Sequence, residues 1–200
     1  MSDRPRTLGR MAGQATSVDD MVQGIEVAVC EGLDQLLRTT GAVQAPTVHM
    51  FATEPEPAYL GLVTCRRFYP GDDAHRAIGK LGDLPGALEA TRLLVTWEAQ
   101  DLNVALEVPV DPDGSALIVV DATMDGQTLR FYPLRFRRAR PGHLALIPEW
   151  LPPQALADPP LPAPITRALA LWRLARGGVD VVRTAHELEA DGYRIGWFGQ

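Results

Sequence analysis

The apolar positions fall into stretches of different period, and the changes of period mark the elements. Val22, Ile25, Val29, Leu33 and Leu36 recur at steps of three and four, with Asp34 and Arg38 outside the stripe. That spacing predicts a helix with one face on a core. Ser17-Val18-Asp19-Asp20 ahead of it is a partial capping box: the Ser17 hydroxyl accepts a first-turn amide, Asp20 reaches back to the Ser17 N–H, and Gly41 ends the run. From Thr47 the period drops to two. Val48, Met50 and Ala52 alternate with Thr47, His49 and Phe51, Glu54-Pro55-Glu56-Pro57 interrupts, and residues 59–68 are again strand formers. A hairpin is expected there. Asp72 and Asp73 then open a short helix carrying Ala74, Ile78 and Leu81, and Asp83 with Pro85 starts another helical turn.

Further along, Leu93, Val95 and Trp97 alternate in one phase and Leu102, Val104, Leu106 and Val108 in the other. The slip at Ala99-Gln100-Asp101 reads as a bulge, bend or tight turn between strands, with a short helix as the competing assignment. Asp111-Pro112-Asp113-Gly114 is a turn, residues 116–123 a nearly continuous apolar strand, and Asp125-Gly126 a hairpin signal leading into residues 128–137. Seven prolines in the seventeen positions 148–164 predict an extended spacer. Beyond it, Pro164 suits a first helical position, Ile165, Leu169 and Trp172 form a stripe, and Gly177-Gly178 stops it. A second helix over 179–191 ends at Gly192, and residues 193–198 form a short aromatic tail. About 35 residues are too few to hold a core alone, so this pair is expected to dock on the main domain or on a partner.

The pattern predicts an α+β fold, an antiparallel sheet with packed helices, over residues 17–147. An arm over 1–16, read as disordered, precedes it; a spacer (148–163) and a helical extension (164–200) follow. The order helix, two strands, short helices, then three or more strands resembles that of profilin-like and roadblock-like modules. The likeness is one of element order and implies nothing about activity.

Composition narrows the functional classes. The 200 residues carry a net charge of −6 and are 46% apolar, enough for a core and against a generally basic nucleic-acid binder. Lys80 is the one lysine, against eighteen arginines, an imbalance first attributable to GC-rich coding. No apolar run follows Arg4, Arg6 and Arg10 as a secretory signal requires, and no stretch is long enough for a membrane helix. With only Cys30 and Cys65, no disulfide framework is possible. A cytoplasmic protein without a membrane attachment is expected.

Most catalytic constellations fail on a missing residue. Cys65 and His49 are equidistant from the hairpin loop, but no group is evident that would orient a Cys–His pair. His49, His75, His143 and His186 are scattered, without zinc-ligand spacing, and the phosphate-binding glycine motifs are lacking, so neither metal nor cofactor is expected. Glu98, Asp101, Glu107 and Asp121 offer carboxylates for a hydrolase, though alternating solvent-face positions explain them equally. The most uneven charge lies in residues 130–140, where Arg130, Arg135, Arg137, Arg138 and Arg140 are interleaved with aromatic rings and no acid. Removing their +5 leaves −11 on the rest of the chain. Such a strip can contact phosphates while rings stack on bases; it can equally guard a sheet edge, as Pro133 suggests. The last predicted helix, with Asp180, Glu187, Glu189 and Asp191 against Arg183, is too acidic to read a major groove. Trp172, Trp197 and Phe198 are instead candidate anchors for a protein partner. The expectation is a non-enzymatic interaction or regulatory module, self-association included. A nucleic-acid-associated protein using the arginine strip and a hydrolase using the carboxylates are the alternatives.

Overall fold

Period-two alternation becomes strand pairing. The computed structural model describes residues 17–110, 114–138, 145–175 and 178–198. Its strands are β1 (Thr47–Ala52), β2 (Ala58–Thr64), β3 (Arg92–Glu98), β4 (Gly114–Thr123), β5 (Gln127–Arg138), β6 (Leu146–Trp150), β7 (Gln154–Ala157) and β8 (Arg194–Trp197). They form one antiparallel sheet in the order β6-β5-β4-β3-β1-β2-β8, with β7 also alongside β5. The expected hairpin is β1 with β2, pairing Thr47 with Thr64 and Val48 with Val63.

Successive side chains point to opposite faces, so the sheet separates two apolar layers. Val48, Met50, Leu93, Val95, Trp97, Ile118 and Val120 face one layer. It is covered by α2 (Asp72–Gly79), a 3-10 turn (Lys80–Gly82), α3 (Asp83–Ala87), α5 (Ala163–Leu174) and α6 (Val181–Ala190). Phe51, Leu94, Leu117, Val119 and Leu134 face the other layer, beneath α1 (Val18–Thr40). The fold is α+β, with helices on both faces of an antiparallel sheet.

Helix α1 starts where the sequence predicts: the Ser17 hydroxyl accepts the Asp20 amide at 3.2 Å and donates to the Asp20 carboxylate at 2.9 Å. Its buried line runs Val18, Val22, Glu26, Val29, Leu33, Leu37, which places a carboxylate in the expected stripe, and Ile25 and Leu36 flank that line. Arg130 on β5 is the reason, donating from Nε to Glu26 at 2.5 Å.

Three segments differ from expectation. Residues 99–105 are the short helix of the competing assignment, α4 (Ala99–Ala105), in place of the bulge, bend or turn that opens a further strand. The Glu98 side chain accepts the Gln100 and Asp101 amides and so supplies the cap, while Leu102 and Ala105, one helical turn apart, are buried. The proline-rich stretch read as spacer contains the end of β6, with Pro148 opposite Phe136, and all of β7, opposite residues 128–131 of β5. Pro148 is tolerated because β6 is an outer strand, and β7 itself holds no proline. The aromatic tail is strand β8, bonded to β2.

Helices α5 and α6 dock on the main domain. Ile165, Ala168, Leu169, Trp172, Ala185 and Leu188 share the layer beneath α2 and α3. The α5 backbone approaches Gly82 so closely that a Cβ there would lie 2.0 Å from the Ala168 carbonyl oxygen. The arm over 1–16 and Arg140 lie outside the described residues.

Candidate protein-interaction surface

Two side-chain contacts and one glycine place the last strand. Tyr193, buried, donates its hydroxyl to the Ala77 carbonyl at 2.7 Å, and Lys80 pairs with Asp191 at 2.7 Å, which fixes the turn through Gly192. The following residues then run along β2, with Gly61 opposite Trp197. Gly61 sits at φ 137°, and a Cβ on it would be 2.3 Å from the Gly196 oxygen, so β2 accepts β8 only with glycine at this position. Phe198 packs edge-on against Tyr59, centroids 5.5 Å apart; Tyr59 in turn meets Phe51 at 5.3 Å and places its hydroxyl 2.9 Å from His49 Nδ1. Burial pushes His49 down to about 4, which keeps its ring neutral beneath this cluster.

Helix α6 lies beside β8. The Asp180 side chain caps it by accepting the Arg183 amide, and Ala185 and Leu188 fill the core side. Val182 is left 65% exposed, beside Trp197 at 39%, while Phe198, at 57%, is exposed on the opposite face of the strand against Tyr59. A shallow cleft of about 320 Å³ runs between helix and strand, lined by Val181, Val182, Ala185, His186, Glu189 and Trp197. Apolar side chains so exposed beside an outer strand are the arrangement a partner strand or helix can cover.

The two sheet edges are unlike. One is blunted: β6 contains Pro148, and β7 lies between Pro152-Pro153 and Pro159-Pro160. At the other, β8 reads Arg-Ile-Gly-Trp, without proline or lysine, and among the described residues nothing pairs with its outer side.

The predicted site residues are distributed as follows. Trp172 is fully buried and donates Nε1–H to the Ala90 carbonyl at 2.7 Å, so it is a core residue and not an exposed anchor. Trp197 lies at the α6–β8 corner, and Phe198, the next residue, turns to the opposite face against Tyr59. The arginine strip is divided between faces: Arg130 points beneath α1, held by Glu26 and, at 3.4 Å, by Asp121, whereas Arg135 and Arg137 are exposed on the opposite face. Arg138 closes β5 opposite Leu146. The four carboxylates form no single cluster: Asp121 pairs with Arg92 at 2.8 Å, Glu107 lies near Gly71, and Glu98, which caps α4, is raised by burial and by the charge of neighbouring Asp101. His49 and Cys65 occupy opposite faces of the sheet and form no dyad. Burial pushes the Cys65 thiol up to about 12, away from a reactive thiolate. Among the described residues no group of three or more His, Cys, Asp or Glu is placed to hold a metal, and no helix is long and apolar enough to cross a membrane.

Strand β8 and the exposure of Val182 carry no local signal in the sequence. Four alternating residues are too few to register as a strand, and Gly61, which makes its place, is remote in sequence. Comparison with protein-family models, with curated proteins and with solved structures finds no match.

Proposed function

We propose that the protein is a non-enzymatic interaction module that binds a protein partner at the corner of α6 and β8. The observation that carries this reading is the contrast between the edges: β6 and β7 are guarded by prolines, while β8 is bare and flanked by exposed Val182 and Trp197 on one face and Phe198 on the other. A partner segment extending the sheet there gains main-chain hydrogen bonds from the strand and side-chain contacts from the cleft beside it. Two free cysteines, Cys30 and Cys65, fit a reducing, cytoplasmic setting. Panning a display library of random peptides against the full chain tests the reading. Peptides of alternating apolar pattern should be enriched and should shift the amide signals of Val182, Ile195 and Trp197, and Trp197→Lys should abolish both effects. Enriched peptides that map elsewhere, or that ignore Trp197→Lys, would refute it.

Nucleic-acid contact through β5 is a second reading, favoured by Arg135 and Arg137 alone, exposed together on one face. It requires salt-sensitive binding that Arg135→Ser with Arg137→Ser removes.

A further inference from the structure

We propose that β8 pairs with β8 of a second copy, antiparallel, about a twofold axis at Gly196. The inference rests on the interaction reading above and names its partner.

The register follows from which backbone groups face outward. The Phe198 amide donates to the Leu60 carbonyl at 3.5 Å, and β8 is antiparallel to β2. In such a pair, alternate residues turn their N–H and C=O groups toward the neighbour. Residues 194, 196 and 198 therefore face β2, and Ile195 and Trp197 present theirs to the open side. A twofold at Gly196 sets Ile195 of each copy against Trp197 of the other, so every outward group of this short strand finds a partner. A twofold at Ile195 would instead recruit Tyr193, which is 3% exposed and tied by its hydroxyl to Ala77.

The same register matches side chains. Read in reverse, Arg194-Ile195-Gly196-Trp197-Phe198 complements itself. Arg194 stands opposite Phe198, a cation over an aromatic face, on the side of the sheet toward α1. Ile195 stands opposite Trp197 on the side toward α6, a favourable aliphatic–aromatic cross-strand pair. Gly196 meets Gly196 at the closest approach of the two chains. An arbitrary apolar strand would satisfy Trp197 but leave Arg194 without its aromatic partner, and this is why a second copy is favoured. Two four-residue strands bury less than the roughly 1,200 Å² of a standard stable interface, so the dimer is weak and concentration-dependent.

Sedimentation equilibrium of the full chain from about 1 μM to about 1 mM tests the pairing. The weight-average mass should climb from 21.8 kDa toward twice that value. Trp197→Lys and Arg194→Glu should each weaken association at least tenfold. Arg194→Glu combined with Phe198→Arg should restore it, because the carboxylate introduced at position 194 then faces the guanidinium introduced at position 198 of the other copy, and a variant that was merely misfolded would not recover. A wild-type mass that stays at 21.8 kDa, single variants that associate like wild type, or a double variant that stays monomeric would overturn the proposal. A flat titration alongside peptide binding at β8 removes self-pairing and keeps the interaction reading; failure of both removes both.

Discussion

Replacing Trp172 by alanine separates a core anchor from a surface one. Its indole is fully buried between α5 and the sheet, and Nε1–H donates to the Ala90 carbonyl. An indole buries on the order of 200 Å², which at about 25 cal/mol per Å² is roughly 5 kcal/mol of transfer free energy. The unpaired Ala90 carbonyl adds about 1 kcal/mol, and partial collapse of the cavity returns some of the total. Trp172→Ala should therefore lose about 4 kcal/mol, a large share of the roughly 5–15 kcal/mol that holds a domain of this kind. Trp172→Phe keeps most of the area and isolates the hydrogen bond, at about 1–2 kcal/mol. Trp197→Ala, at a partly exposed strand position, should lose less than about 1 kcal/mol. Urea unfolding followed by circular dichroism reads all three without depending on tryptophan emission. A Trp172→Ala loss below about 1 kcal/mol, or equal losses at 172 and 197, would refute the assignment of α5 to the core.

Other sites give independent checks. Gly82→Ala forces a methyl group against the Ala168 carbonyl and should destabilise by about 2–3 kcal/mol in urea; a neutral outcome would mean that α5 does not approach as described. The folded state holds His49 at about 4, so the unfolded chain takes up its proton first. Stability is then complete above about pH 6.5 and falls by up to roughly 3 kcal/mol as pH drops toward 4. Glu98, raised by burial, contributes in the opposite direction, losing stability as pH rises, so the comparison must be His49→Phe against the parent; parallel curves would contradict the buried neutral ring. Glu26→Ala leaves Arg130 only its 3.4 Å contact with Asp121 and deprives the Tyr132 hydroxyl of its acceptor. A loss of about 2–3 kcal/mol is expected, smaller when Arg130→Met is combined with it; strict additivity would show that the pair is not coupled.

An apolar period is legible in the sequence where it runs unbroken over several turns or residues. Helix α1 and the hairpin were legible from local spacing, as was the α+β class. Position 26 shows a limit of the same method: a glutamate in a buried stripe is explained only by Arg130, a hundred residues away. The 99–105 helix was obscured because Leu102, Val104, Leu106 and Val108 also fit a two-residue alternation, and only the Glu98 cap decides between them. Proline content suggested a spacer over 148–163, since composition does not reveal that outer strands tolerate proline. Among the proposed anchors, Trp172 and Trp197 look alike in sequence. Their difference in burial comes from α5 packing under α3 while β8 takes the last place in the sheet, and neither placement is a local property.

Most depends on β8 being the edge that takes a partner. Residue-resolved hydrogen exchange of the full chain, measured at increasing concentration and with a peptide enriched by panning, tests this most directly. The outward amides of Ile195 and Trp197 should gain protection, while Gly196 and Phe198, already facing β2, should change little. Protection that instead appears along β6 and β7, or an Ile195–Trp197 pair that exchanges equally fast under all conditions, would contradict it.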